Sequence, residues 1–144
     1  MPDLPSPSPE TIRRARLFWE QGGEDLKSAR ALLRRKAYMQ SSFFSLQGAV
    51  NGLSALCHLQ GHYRLPGGGP TQLLALLAGG APELARDAGP LGTLDQVTEH
   101  DPFAEPEPGD DLAAHCRACL DEAERLMKRL KAYLKANRKT YFAP

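Results

Sequence analysis

Three stretches of the chain repeat apolar or small residues every three or four positions, the period of a helix with one buried face. The first runs from Ser8-Pro9 to Lys36, with Ser8 as its N-cap and Pro9 at the first helical position. Its stripe comprises Ile12, Ala15, Trp19, Gly22, Leu26, Ala29 and Leu33. Gly22-Gly23 weakens helix formation, but the stripe keeps its register across the pair. The pattern therefore predicts one continuous, bent helix.

The second helix is predicted from about Tyr38 to Gln60, ending near Gly61. Its apolar stripe comprises Phe43, Leu46, Val50, Leu53 and Cys57. A neighbouring stripe of small residues supplies the candidate oligomer face: Ser41, Ser45, Gly48 and Gly52. Small residues let another helix approach closely, either within the monomer or across a self-complementary face of a homodimer. The sequence leaves both alternatives open.

The last helix is predicted from Asp110 or Asp111 to about Asn137. Its stripe comprises Leu112, Cys116, Cys119, Ala123, Leu126, Leu130 and Tyr133. Between the second and last helices we expect a loop at 61–70, a short helix at 71–77, one or two helical turns within 82–99 and an acidic, proline-rich loop at 100–110. No segment shows strand alternation. The pattern predicts an all-α domain over 10–144, an up-and-down four-helix bundle with one or two extra short helices, after an extended proline-rich arm at 1–9.

Composition adds an uneven charge to this picture. The net charge is +4 over residues 10–40, −8 over 83–111 and +5 over 112–144. Either the acidic segment packs against the basic helices, or a basic face attracts an anion or an acidic partner. Three cysteines without an export signal favour reduced thiols and a cytoplasmic protein. No apolar run approaches the ~20 residues that span a bilayer, so we expect no membrane association.

Two clusters of cations are the candidates for binding phosphate or nucleic acid: Arg34, Arg35 and Lys36 on the first helix, and Lys128, Arg129, Lys131 and Lys135 on the last. The first and last helices of an up-and-down bundle run antiparallel. The two clusters are therefore predicted at opposite ends of the molecule, as two modest patches rather than one groove.

The sequence offers little for metal or catalytic chemistry. The candidate metal ligands are Cys57, His58, His62, Cys116 and Cys119. The cysteines lie on apolar stripes, where a buried thiol behaves as a small hydrophobic group, so we predict no metal. The Gly67–Gly69 run lacks the Lys-Ser/Thr of a phosphate-binding loop, and we predict no cofactor.

The order and spacing of several residues resemble the HEPN family, helical domains of prokaryotes and higher eukaryotes. The resemblance covers about residues 15–137. It rests on Trp19, Glu24-Asp25-Leu26, Ala29 and Leu32-Leu33 in the first helix, on Phe43 to Leu56 in the second, and on Thr71-Gln72-Leu73-Leu74 at the start of a short helix.

The chain departs from the family at its polar positions. HEPN ribonucleases carry Arg-x4-6-His, but none of the histidines here, at positions 58, 62, 100 and 115, has an arginine at that spacing. The Arg-Tyr-Pro-Asp stretch of many nucleotide-binding relatives is replaced by Glu99 to Phe103. The resemblance therefore implies a non-catalytic module, dimeric, that binds a nucleotide, a nucleic acid or a partner such as a nucleotidyltransferase, in a toxin–antitoxin context. Two alternatives are a ribonuclease with a displaced site, in which His100 is the candidate base, and a structural subunit of an oligomer.

Overall fold

The computed structural model describes residues 7–98 and 111–138. Its helices are α1 (Pro9–Arg34), α2 (Tyr38–Leu59), α3 (Pro70–Ala78), α4 (Pro82–Asp87), α5 (Gly92–Thr98) and α6 (Leu112–Ala136). The described ranges contain no strand, so the all-α prediction is confirmed. The proline-rich arm, except for its last three residues, and the acidic loop lie outside the described residues.

Helix α1 is continuous through its glycine pair, as the unbroken stripe predicts. The Ser8 side chain accepts a hydrogen bond from the backbone N–H of Thr11 at 3.1 Å and caps the helix. The helix ends where Lys36 adopts a left-handed φ of 61°. There the N–H of Ala37 donates to the carbonyl of Leu32, the arrangement that satisfies the last carbonyls of a helix.

Helix α2 is the centre of the molecule and is enclosed on nearly all sides. Every residue from 52 to 60 is buried, because α1, α3, α5 and α6 all pack against it. An enclosed helix needs apolar or small residues on its whole circumference rather than on one stripe. This explains why His58, one step from the apolar stripe, is also buried.

The small-residue stripe of α2 packs against α1 and α6 of the same chain. The Ser41 hydroxyl donates to the Ala29 carbonyl at 2.7 Å, and Ser45 is fully buried. A methyl group on Gly48 would lie 2.8 Å from Cδ2 of Leu26, and one on Gly52 would overlap Met127. The stripe is therefore an internal packing surface. Its assignment as an oligomer face is corrected, because none of its four residues is exposed to meet a second copy.

Helices α3 to α5 form a compact group that α6 holds in place. The Glu122 side chain on α6 accepts hydrogen bonds from the backbone N–H groups of Thr93 and Leu94 at 3.1 and 3.3 Å, at the start of α5. Arg125 donates to the carbonyls of Ala88 and Pro90 at 3.1 and 2.6 Å. One face of α6 thus fixes the connection between α4 and α5.

The described residues comprise three long helices, α1, α2 and α6, with the three short helices packed on α2 and α6. The prediction of a four-helix up-and-down bundle is not confirmed at that level of detail. An ion pair at 3.0 Å joins Arg30, near the end of α1, to Glu124 in the middle of α6.

Among the described residues, no helix combines the length and the apolar character that crossing a membrane requires.

Candidate functional site

A pocket of about 510 Å³ opens where three long helices meet at one end of the molecule. It is formed by the first half of α1, the second half of α2 and the last turns of α6. The lining residues are Ala15, Arg16, Trp19, Ala55, Leu59, Lys131, Leu134 and Arg138. Because the beginning of α1 meets the end of α6, these two helices run antiparallel, as predicted.

The floor of the pocket is apolar and its rim is cationic. Ala15, Ala55 and Leu59 are buried, and two of these three side chains are single methyl groups, which leave space between α1 and α2. Arg16, Lys131 and Arg138 are exposed. Such a combination of an apolar surface with a few charged groups is typical of small-molecule sites.

The three rim cations have no acidic partner among the described residues. The ion pairs found there join Arg14 to Glu10, Lys27 to Glu24 and Arg30 to Glu124. Among the described residues, no carboxylate lines the pocket. Within that part of the chain, no acidic side chain neutralises the positive charge of the rim.

Helix dipoles explain only part of this charge. A cation is favourable at the negative C-terminal end of a helix, which accounts for Arg138 just beyond α6. The same rule gives no reason for Arg16, which lies in the N-terminal third of α1. The meeting of Arg16 with Lys131 and Arg138 is a feature of the tertiary structure.

The structure divides the predicted phosphate-binding cations into three groups. Lys131 lines the pocket, whereas Lys128, Arg129 and Lys135 are exposed on α6 outside the lining. Arg34, Arg35 and Lys36 are exposed at the other end of the molecule, where α1 meets α2. The predicted separation of the two clusters agrees with this geometry.

Among the described lining residues, only Lys131 belongs to the predicted site, and the charged or aromatic residues that the prediction omits are Arg16, Arg138 and Trp19. Trp19 has the spacing of a core residue on α1, and its indole is partly buried. A usable signal was present in the sequence, because the antiparallel packing that separates the basic clusters also places the first turns of α1 beside the end of α6.

The cysteines are buried and apolar in character. Cys57, Cys116 and Cys119 have no exposed surface. Burial raises the pKa of the Cys57 and Cys119 thiols to about 12, so both are neutral at physiological pH and poor nucleophiles. The Cys119 sulfur lies 3.9 Å from the Thr93 carbonyl and 3.7 Å from the His115 ring, and Ser42 is a further hydrogen-bonding neighbour of this thiol.

The two histidines among the predicted metal ligands do not join the cysteines. Nδ1 of His58 donates a hydrogen bond to the Ser54 carbonyl, 2.8 Å away. Its ring centroid lies 4.8 Å from that of Phe18 and 5.8 Å from that of Tyr63. His62 is partly exposed in the loop after α2. Within the part of the chain that the structure describes, no three His, Cys, Asp or Glu side chains converge to hold a metal. His100, the candidate base, lies outside the described residues.

Comparisons of the chain with protein-family models, with curated proteins and with solved structures find no match. The resemblance to the HEPN family accordingly stays a prediction. The chemistry of the pocket is the evidence on which a function can be argued.

Proposed function

We propose that this chain is a non-catalytic nucleotide-binding module of the HEPN kind, and that the pocket between α1, α2 and α6 is its site. The observation that carries the proposal is the meeting of Arg16, Lys131 and Arg138 over an apolar floor, with no acidic side chain among the described lining residues. A nucleotide has the matching chemistry, since it joins an anionic phosphate group to a flat, weakly polar ring.

The size and the aromatic side chain of the pocket favour a single nucleotide over a longer strand. Small-molecule sites occupy about 300–1,000 Å³, and this pocket has about 510 Å³. The Trp19 indole offers a face on which a base can stack, an interaction that contributes about 1–3 kcal/mol in nucleic-acid-binding proteins. The basic cluster at Arg34–Lys36 lies at the opposite end, so the two clusters do not form one continuous track for a strand.

The described lining favours binding over acid–base catalysis. Such catalysis uses His most often, and otherwise Asp, Glu, Lys, Tyr or Cys, within hydrogen-bond reach of the reacting atoms. Lys131 is the one group of this kind in the described lining, and we assign its charge to the phosphate. The described lining contains cations, alkyl groups and one indole. This agrees with the missing Arg-x4-6-His motif of the HEPN ribonucleases.

Three further parts of the proposal rest on the sequence. The up-and-down four-helix bundle with one or two extra short helices follows from the apolar pattern, whereas the homodimer and the nucleotidyltransferase-type partner follow from the resemblance alone. A homodimer would have to use a surface other than the small-residue stripe of α2, because that stripe is enclosed within the chain.

Isothermal titration calorimetry with ATP tests the proposal. Arg16→Gln and Lys131→Gln are each expected to weaken binding by roughly 5- to 30-fold, since a hydrogen bond to a charged group contributes about 1–2 kcal/mol at an exposed site. Arg34→Gln is the matched control: it removes one exposed arginine of α1 at the other end of the molecule. The dissociation constant of the Arg34→Gln variant for ATP should stay within about twofold of that of the unsubstituted chain.

Two results would contradict the proposal. One is the absence of measurable heat with ATP. The other is an equal loss of affinity in Arg34→Gln and Arg16→Gln, which would indicate diffuse attraction by surface charge rather than binding in the pocket.

A further inference from the structure

The described side chains that line the pocket can donate hydrogen bonds but cannot accept them. Arginine and lysine carry only donors, and the indole of Trp19 has one donor and no acceptor. The remaining lining side chains are alanine and leucine, which have neither. Ala15, Arg16, Trp19, Ala55 and Lys131 lie in the interiors of α1, α2 and α6, where each backbone carbonyl is engaged by the N–H four residues later. Leu59 and Leu134 lie in the last turns of α2 and α6, so the acceptors that the described lining offers are backbone carbonyls at these two helix ends.

The bases differ from one another mainly in where they place amino groups and ring oxygens. Adenine and cytosine present an amino donor, and guanine presents one beside a ring N–H. None of these donors finds an acceptor among the lining side chains. A site discriminates strongly between ligands when it hydrogen-bonds the groups that differ, and only weakly through an apolar contact.

Resting on the proposed function, we infer that the pocket binds nucleoside triphosphates without selecting the base. The rim cations Arg16, Lys131 and Arg138 recognise the phosphates by charge, and the Trp19 indole recognises the flat face that all four bases share. The amino edge of the base stays in the water at the mouth of the pocket. The ligand class is thus a phosphorylated nucleoside of any base.

Arginine introduces one competing geometry, because a guanidinium can donate two hydrogen bonds, one to O6 and one to N7 of guanine. A phosphate group attracts the same guanidinium more strongly, since that hydrogen bond joins two opposite charges. The arginines of the rim are therefore assigned to phosphate. A preference for guanine is the specific result that would show this assignment to be wrong.

The experiment is a set of calorimetric titrations of the full chain with ATP, GTP, CTP and UTP at one salt concentration. The four dissociation constants are expected to lie within about fivefold of one another, with the purines tighter because they stack over a larger area. Inorganic tripolyphosphate, which lacks the ring, and adenosine, which lacks the charge, should each bind at least about tenfold more weakly than ATP.

A preference above tenfold for one base overturns the inference and leaves the proposed function standing. Failure of all four triphosphates to bind removes the proposed function itself. Equal affinity for ATP and tripolyphosphate also overturns the inference, because the ring would then contribute nothing.

Two variants test the role of the indole. Trp19→Leu should weaken the binding of all four triphosphates, the purines more than the pyrimidines, and leave that of tripolyphosphate unchanged. Trp19→Phe should restore most of the lost affinity, because it keeps an aromatic face. If Trp19→Leu weakens ATP and tripolyphosphate alike, the indole does not contact the ring and the inference is wrong.

Discussion

Gly22 and Gly23 are neighbours in α1, yet their surroundings differ completely. A methyl group on Gly22 would lie 3.0 Å from the carbonyl oxygen of Gly48 and 3.3 Å from the backbone nitrogen of Gly52. A methyl group on Gly23 would meet no atom within 4 Å. Gly22 is therefore required by the close approach of α1 to α2, whereas Gly23 only lowers the helix propensity of α1.

The two alanine variants are expected to change stability in opposite directions. Gly23→Ala should raise the free energy of unfolding by up to about 1 kcal/mol through helix propensity. Gly22→Ala should lower it, because an overpacking cost of about 1–3 kcal/mol exceeds that gain. Urea unfolding followed by circular dichroism measures both. Equal stabilisation by the two variants would show that α1 and α2 do not touch at Gly22.

Residues that end helices show what sequence can and cannot reveal at this scale. Gly61 has a φ of 89° at the end of α2, and a glycine there is the usual signal for a helix end. Lys36 occupies the corresponding position after α1 with a φ of 61°. A lysine carries no such signal, so the sequence predicts Lys36 as the last residue of the first helix and as a candidate phosphate ligand, but not as the left-handed residue that follows the helix.

Glu122 organises a whole element from a position that the stripe of α6 does not include. It is 9% exposed, and its carboxylate accepts hydrogen bonds from the first N–H groups of α5. Those groups have no partner within their own helix. The apolar period of α6 predicts the helix and its core face. The role of the buried glutamate cannot be predicted until the position of α5 relative to α6 is known.

Glu122→Ala is expected to lower the free energy of unfolding by about 1–3 kcal/mol, because it leaves backbone donors of α5 without an acceptor. Glu124→Ala, two residues later, removes a carboxylate that forms an exposed pair with Arg30. That control should cost at most about 1 kcal/mol. Denaturant titration of both variants makes the comparison. An equal cost for the two would contradict the assigned role of Glu122.

In the folded molecule, residues that lie far apart in the sequence meet at the end where the pocket opens. Sequence alone predicts the three long helices within two residues of their ends in the structure, and it predicts that α1 and α6 run antiparallel. It does not predict the pocket, because that depends on the rotation of α1 about its axis, which brings Arg16 to the same opening as Lys131 and Arg138. The sequence likewise predicts that short helices exist between the second and last long helices, but it does not predict that they pack on α2 and α6.

The emission of Trp19 is the most direct test of the nucleotide site, because it is the chain's single tryptophan and it lines the pocket. Titration with ATP is expected to change this emission until it saturates. Arg34→Gln should give the same response, and the Arg16→Gln/Lys131→Gln double variant should give none at those concentrations. An ATP-binding signal in calorimetry with unchanged Trp19 emission would place the nucleotide elsewhere and contradict the account.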